Sequence, residues 1–128
     1  MANVLIIDDD EELCMELKEI LEDEGYKAWV ALDGRAGKEL MEHNAYAVVI
    51  LDLKLPELNG YEVLKTAKQA ASGPKIIVLS GRPLGDTPLN EPRDRHAEED
   101  KILTLADAVM NKPVPIPLLL DKIKSYTC

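Results

Sequence analysis

Residues 4–10 read VLIIDDD, four consecutive apolar side chains followed at once by three aspartates. Similar apolar runs lie at 48–51 (VVIL) and 76–79 (IIVL). A run that is apolar at every position favours a strand covered on both faces, and such strands are typical of parallel sheets. The runs therefore predict a parallel sheet with helices on both sides.

Working outward, five apolar runs alternate with segments of helical spacing. Strands are predicted at 4–7, 27–32, 45–51, 75–79 and 107–110, and helices between Asp10 and Gly25 and at 35–43, 61–71, 96–105 and 118–126. Asp10 is the expected N-cap of the first helix and Gly25 its C-terminal stop. Residues 82–94 contain three prolines and are predicted to form a loop. The alternation predicts a doubly wound α/β domain with right-handed crossovers.

Length and composition narrow the class of protein further. A chain of 128 residues with 46% hydrophobic content can fold as one domain without a disulfide or metal. No apolar run approaches the roughly 20 residues of a membrane span, and the N-terminus lacks the features of a signal peptide. Cys14 and Cys128 are expected to be reduced thiols. We therefore expect a cytoplasmic protein that does not bind a membrane.

The charge is concentrated in one part of the chain. The chain has 24 acidic and 15 basic residues, and residues 8–24 hold ten acidic side chains but one basic, so they account for the entire net charge of −9. Such a balance argues against a nucleic-acid partner, because phosphate binding needs a basic face. A solvated acidic helix face explains Glu16, Glu19, Glu22 and Glu24. It does not explain the aspartates that directly follow the first strand.

Polar residues of complementary chemistry follow four of the predicted strands. Asp8 and Asp9 follow the first strand, Asp52 the third, Ser80 the fourth and Lys112 the fifth. In open α/β sheets the functional groups gather at the carboxyl ends of the strands. We therefore expect carboxylates, a hydroxyl and an ammonium group to meet at one edge of the sheet.

Clustered carboxylates indicate a cation. Two unit charges ~4 Å apart repel by about 4 kcal/mol at an effective dielectric constant near 20. Oxygen ligands with positions left for water suit Mg²⁺, with Mn²⁺ as an alternative. A carboxylate is also a nucleophile toward phosphorus, and a lysine and a serine hydroxyl would bind phosphoryl oxygens. The predicted chemistry is phosphoryl transfer onto a carboxylate.

The whole chain resembles a receiver domain of a two-component response regulator. The resemblance is carried by residues 4–9, by Asp52-Leu53-Lys54-Leu55-Pro56 with Gly60 following, by residues 76–81 and by Lys112-Pro113. It implies a flavodoxin-like, five-stranded sheet in the order 2-1-3-4-5 with helices on both faces. It also implies one receiver domain over residues 1–128 and no output domain within them.

The resemblance assigns the acceptor and the ion. It makes Asp52 the phosphoacceptor, and Asp8 and Asp9 hold Mg²⁺ together with Asp52 and the backbone carbonyl of Lys54. The implied donor is the phosphohistidine of a sensor histidine kinase or a histidine phosphotransfer protein, docked beside the first helix. The domain would catalyse its own phosphorylation and dephosphorylation and no other reaction.

The resemblance also assigns a switch. Ser80 would move toward the phosphoryl group with its loop and the following helix, and Lys112 would bridge to that group. A cis peptide is expected between Lys112 and Pro113. Lys54 and Arg82 are basic residues at positions that line the path of the hydrolytic water. We therefore predict that they tune the lifetime of the phosphorylated state.

Two features depart from the family pattern. Val109 stands three residues before the lysine, where receivers usually carry Tyr or Phe, and the chain contains no Phe. The segment after Ser80 is also longer than usual. The switch is therefore expected either to act through helix and loop movement alone or to use another output face.

Two alternatives stay open from sequence. Residues 7–10 (IDDD) also fit a haloacid-dehalogenase-type phosphatase, with Asp8 as nucleophile, although Glu12 stands where that family has Thr. The other alternative is a receiver-shaped interaction module that is never phosphorylated. The downstream effector is not indicated by the sequence.

Overall fold

The computed structural model describes residues 2–52, 73–80, 106–111 and 115–127. In these ranges the strands are β1 (Asn3–Ile7), β2 (Lys27–Ala31), β3 (Val48–Asp52), β4 (Lys75–Ser80) and β5 (Ala108–Asn111). The helices are α1 (Glu11–Asp23), α2 (Gly34–His43) and α3 (Ile116–Thr127). The predicted helices at 61–71 and 96–105 and the predicted loop at 82–94 lie outside the described residues. No helix in the described ranges has both the length and the apolar character needed to cross a bilayer.

The strands form one parallel sheet in the order β2-β1-β3-β4-β5, which confirms the predicted order. In the register of β1 and β3, Ile7 pairs with Leu51. The next residues on these two strands are Asp8 and Asp52. The sheet thus brings them side by side where the chain leaves it, at the end that we call the carboxyl edge.

Both faces of the sheet are covered. Residues 48–51 and 76–79 are completely buried, as their apolar sequences predict. On one face α2 packs over Leu5 and Ile7, while α1 and α3 pack on the other face over Val4 and Ile6. Helix α2 lies so close to β1 that a Cβ at Gly37 would be 2.5 Å from Cδ1 of Ile7. Glycine at position 37 therefore lets α2 pack directly on the residue that precedes Asp8.

The helix ends follow local side-chain chemistry. Asp10 caps α1 by accepting a hydrogen bond from the backbone N–H of Leu13, and Gly25 follows the helix with a φ of +94°, so both predicted ends are confirmed. Helix α3 begins at Ile116, two residues before the predicted start. Pro117 fits there because N–H groups in the first turn of a helix have no acceptor within the helix. The missing N–H of proline therefore costs no hydrogen bond.

Two strands begin later than predicted, and a side chain adds a hydrogen bond near each start. β3 starts at Val48 rather than at 45, and the Asn3 side chain donates to the carbonyl of Ala45. β5 starts at Ala108 rather than at 107. The Asp107 carboxylate there accepts from the backbone N–H of Ile76 at 2.7 Å. The backbone N–H groups of Ala47 and Asp107 still donate to the carbonyls of Asn3 and Ile76, so backbone bonding continues one residue before each strand start.

Candidate functional site

Three carboxylates converge at the carboxyl edge. One oxygen from each of Asp8, Asp9 and Asp52 lies within 4.8 Å of the other two. We call these three residues the acidic site. Asp8 is fully buried and Asp52 is 4% exposed, whereas Asp9 is exposed to solvent. Two carboxylates of the site are therefore buried, and the third is accessible to solvent.

Asp8 is held through its backbone and its side chain. Its N–H donates to the carbonyl of Ala31 at 3.0 Å, which ties it to the end of β2. Its Oδ1 accepts from the backbone N–H of Asp10 at 3.0 Å. Its carbonyl accepts from the thiol of Cys14 at 3.3 Å. The carboxylate of Asp8 therefore has a defined direction before any ligand arrives.

The donor set fits a hard divalent cation. Mg²⁺ binds oxygen at about 2.0–2.1 Å in an octahedron, so its ligand oxygens lie at most about 4.2 Å apart. The oxygens of the acidic site are already within 4.8 Å of each other. Only small side-chain adjustments would bring them onto one ion. Asp10, in contrast, uses its carboxylate to cap α1, as expected.

Of the remaining predicted site residues, the described part of the chain includes the backbone of Ser80. Asp52 pairs with Leu79, so the backbone of Ser80 ends β4 one residue further along the neighbouring strand. Ser80 in turn pairs with Asn111, which directly precedes Lys112 in the chain. Lys112, Lys54 and Arg82 lie outside the described residues, as does the expected Lys112-Pro113 cis bond. Their predicted roles stay predictions.

Val109, at the position where receivers usually carry Tyr or Phe, lies in β5. It is partly buried and packs against the apolar core that α2 covers. The position is therefore part of the packing between β5 and the sheet interior.

The acidic residues of segment 8–24 divide into two groups. Glu16, Glu19, Glu22 and Glu24 are exposed, which confirms the solvated face. Asp8 and Asp9 belong to the acidic site instead. The exposed face also carries Met15, which is 53% exposed. The helix thus presents an apolar side chain within an acidic surface near the site.

Sequence reasoning missed the contact between Cys14 and Asp8. A signal was present, because Cys14, Leu17 and Leu21 recur at helical spacing and all three are buried against the sheet. That stripe predicts which way Cys14 points. It does not predict which atom the thiol meets.

Comparisons with known proteins agree with the fold and identify the family. Residues 4–87 match the family model described as the response regulator receiver domain. The transcriptional regulatory protein CpxR of Escherichia coli is 31% identical over 128 residues, covering 98% of this chain and 49% of CpxR. The sensory transduction protein RegX3 of Mycobacterium tuberculosis is also 31% identical and is covered to 50% of its length. The chain thus spans about half the length of these curated relatives.

Solved structures of receiver domains and response regulators are similar to this chain over nearly its whole length. A CheY-like response regulator receiver domain protein from Methanospirillum hungatei superimposes with a TM-score of 0.80 at 32% identity, covering 98% of this chain and 92% of that one. The response regulator TrrA of Thermotoga maritima, solved in complex with Mg²⁺ and BeF, has a TM-score of 0.79 at 27% identity, with 98% and 99% covered. Neither the phosphatase nor the unphosphorylated module is favoured by these matches.

Proposed function

Because the chain belongs to the response regulator receiver domain family, we propose that it accepts a phosphoryl group on Asp52. The donor is a phosphohistidine of a sensor histidine kinase or a histidine phosphotransfer protein. The observation that carries the proposal is the approach of the Asp52 carboxylate to those of Asp8 and Asp9 within 4.8 Å. Three converging carboxylates repel one another, and a bound cation would offset that repulsion.

The reaction is a displacement at phosphorus. A carboxylate oxygen of Asp52 forms the new P–O bond, the P–N bond of the donor breaks, and its electron pair returns to the imidazole nitrogen. Asp8, Asp9, Asp52 and the Lys54 carbonyl would hold Mg²⁺, which would supply positive charge to offset the charge on the transferring group. Asp52 is almost fully buried, so the surrounding protein fixes its direction and limits water around it.

We assign the remaining steps to residues beyond the acidic site. Lys112 pairs with a phosphoryl oxygen, and the Ser80 hydroxyl donates to another while its loop moves. The position of Ser80 on the strand beside Asp52 supports this assignment. Lys54 and Arg82 set the rate at which water removes the phosphoryl group. Unchanged decay of the phosphorylated protein in Lys54→Ala and Arg82→Ala would contradict the last assignment.

We propose that the donor docks beside α1. The exposed Met15 gives this surface an apolar contact point, and it lies one turn after the start of the helix that follows the acidic site.

Residues 1–128 are proposed to form a single receiver domain, since strands from residue 3 to residue 111 join one sheet. A single cooperative unfolding transition is the expected sign of one domain.

Labelling by acetyl phosphate tests the proposal. Wild-type protein is expected to take up one phosphoryl group when Mg²⁺ is present and none when EDTA removes it. Asp52→Asn is expected to abolish labelling because the nucleophile is gone. Asp33→Asn is a matched control, since Asp33 caps α2 outside the acidic site and Asn is an equally good cap. Labelling of Asp52→Asn at the wild-type level would contradict the proposal.

A further inference from the structure

Cys14 lies directly behind the acidic site. It stands in the second turn of α1, is completely buried, and its thiol donates to the Asp8 carbonyl at 3.3 Å. Its own backbone N–H donates to the carbonyl of Asp10 at 3.0 Å. One residue of the helix thus contacts the turn 8–10 at two points.

The neighbours of Cys14 explain why a thiol suits this place. Its side chain belongs to the apolar cluster that includes Ile6, Leu17 and Leu21. A thiol behaves as a small apolar group with a weak donor, so it packs in this cluster and still offers its proton to a carbonyl. A methyl group in its place would keep the packing in part but would lose the donor.

We propose that Cys14 is a positioning residue for the cation site. Its thiol fixes the peptide of Asp8, and the direction of that peptide determines where the Asp8 carboxylate points. This inference rests on the proposed function, because it concerns the Asp8 carboxylate as a ligand of Mg²⁺. The role goes beyond helix packing, since the donor rather than the volume of Cys14 matters.

The physical basis is the support of ligands by the groups behind them. Hydrogen bonds that orient a metal ligand contribute to metal affinity even though they never contact the ion. Asp8 is held by β2 through Ala31, by the turn through Asp10, and by α1 through Cys14. Loss of the contact from α1 leaves the peptide freer to rotate, and the carboxylate then spends less time in the direction that binds.

Calorimetric titration with MgCl₂ tests the role of the thiol. Cys14→Ala and Cys14→Val, which fill the site partly or fully without a donor, are expected to bind Mg²⁺ about three- to tenfold more weakly than wild type, the effect of losing one hydrogen bond. Cys14→Ser keeps a donor and is expected to restore most of the affinity. Leu21→Ala is the matched control, because Leu21 is buried on the same helix about two turns after Cys14, toward the end far from the acidic site. It should lower stability and leave Mg²⁺ affinity unchanged.

The outcomes separate the two proposals. Wild-type affinity in Cys14→Ala and Cys14→Val would overturn the positioning role while leaving the proposed function intact. Equal weakening by Leu21→Ala or by Cys14→Ser would overturn it too, since packing would then explain the loss. A wild-type protein that binds no Mg²⁺ would contradict the proposed function itself. Urea unfolding of each variant in EDTA verifies that the titrated protein is folded.

Discussion

At the carboxyl edge of the sheet the carboxylates of Asp8, Asp9 and Asp52 converge within 4.8 Å, whereas at the opposite end acidic groups meet bases and amides. We call that opposite end, where the strands begin, the amino edge. The Asp107 carboxylate there accepts from the backbone N–H of Ile76 and lies 3.9 Å from the ammonium of Lys75.

Further contacts close the amino edge. The ammonium of Lys124 in α3 lies 3.3 Å from a carboxylate oxygen of Glu24, just after α1. The hydroxyl of Tyr126 donates to the carbonyl of Asp107, and the hydroxyls of Tyr26 and Thr127 lie 3.1 Å apart. These contacts join the end of α3 to the end of α1 and to the starts of β2 and β5.

The difference between the edges separates stability from function. Pairing at the amino edge satisfies polar groups within the protein and needs no ligand. Like charges at the carboxyl edge lower the stability of the protein alone, and a cation removes that cost. The functional end is thus distinguished by an excess of negative charge, and hydrogen bonds to Asp8 hold part of that charge in position.

The largest expected effect is stabilisation by Mg²⁺ at the carboxyl edge. At a free Mg²⁺ concentration one hundred times the dissociation constant, the free energy of unfolding should rise by about 2.7 kcal/mol. Asp52→Asn should lose most of this gain, while Asp107→Asn at the amino edge should keep it. Urea unfolding in EDTA and in MgCl₂ measures both. An equal gain in Asp52→Asn would show that Mg²⁺ acts elsewhere.

Removal of the Asp107 carboxylate is expected to have the next largest effect. Asp107→Ala takes away the acceptor of the completely buried Ile76 N–H and should lower the free energy of unfolding by about 1–3 kcal/mol. Lys75→Met breaks the ion pair alone, and that pair is long and half exposed, so the cost should stay below about 1 kcal/mol. Urea midpoints of the two variants measure the difference. Equal losses would assign the effect to the ion pair.

At the carboxyl edge, removal of a carboxylate is expected to stabilise the protein rather than destabilise it. In EDTA, Asp9→Asn should raise the free energy of unfolding by about 1 kcal/mol, because it removes an exposed like charge beside Asp8 and Asp52. High salt should reduce the gain by screening. Glu19→Gln on the exposed face of α1 serves as the control and should change stability little. A destabilised Asp9→Asn would contradict the repulsion inferred here.

Alkaline pH should produce the smallest change. Burial raises the pKa of Tyr46, against a smaller lowering by the Asn44 side chain, and burial with the nearby Asp107 charge raises the pKa of Tyr126. As pH rises above about 10, tyrosines of the unfolded chain lose protons before these two do, so stability falls. Below that pH, the stability that follows from the raised pKa values of the two tyrosines is fully present. Tyr126→Phe should show a shallower fall in urea unfolding between pH 9 and pH 11, and an unchanged slope would contradict this role of Tyr126.

The sequence predicts those parts of the fold that depend on local patterns. Continuous apolar runs identify the buried strands, and Asp10 and Gly25 mark the ends of α1 because capping involves neighbours in the chain. The convergence of Asp8 and Asp52 also follows from sequence, since parallel strands end at the same edge.

The parts that sequence does not predict are individual side-chain contacts that depend on how the helices and strands pack. Asp107 has the sequence context of a strand start, yet its carboxylate bonds the amide of Ile76, 31 residues earlier. Cys14 has the spacing of a core residue, and its bond to the Asp8 carbonyl depends on how α1 is set over the sheet. Such contacts follow from tertiary register, and no periodicity in the sequence reports it.

The most direct measurement is the position of the phosphoryl group after reaction with acetyl phosphate and Mg²⁺. Borohydride reduction converts an aspartyl phosphate to homoserine, which peptide mass spectrometry locates in the chain. Conversion at Asp52 alone is the predicted result. Conversion at Asp8, or at neither residue, would contradict the assignment of Asp52 as the acceptor.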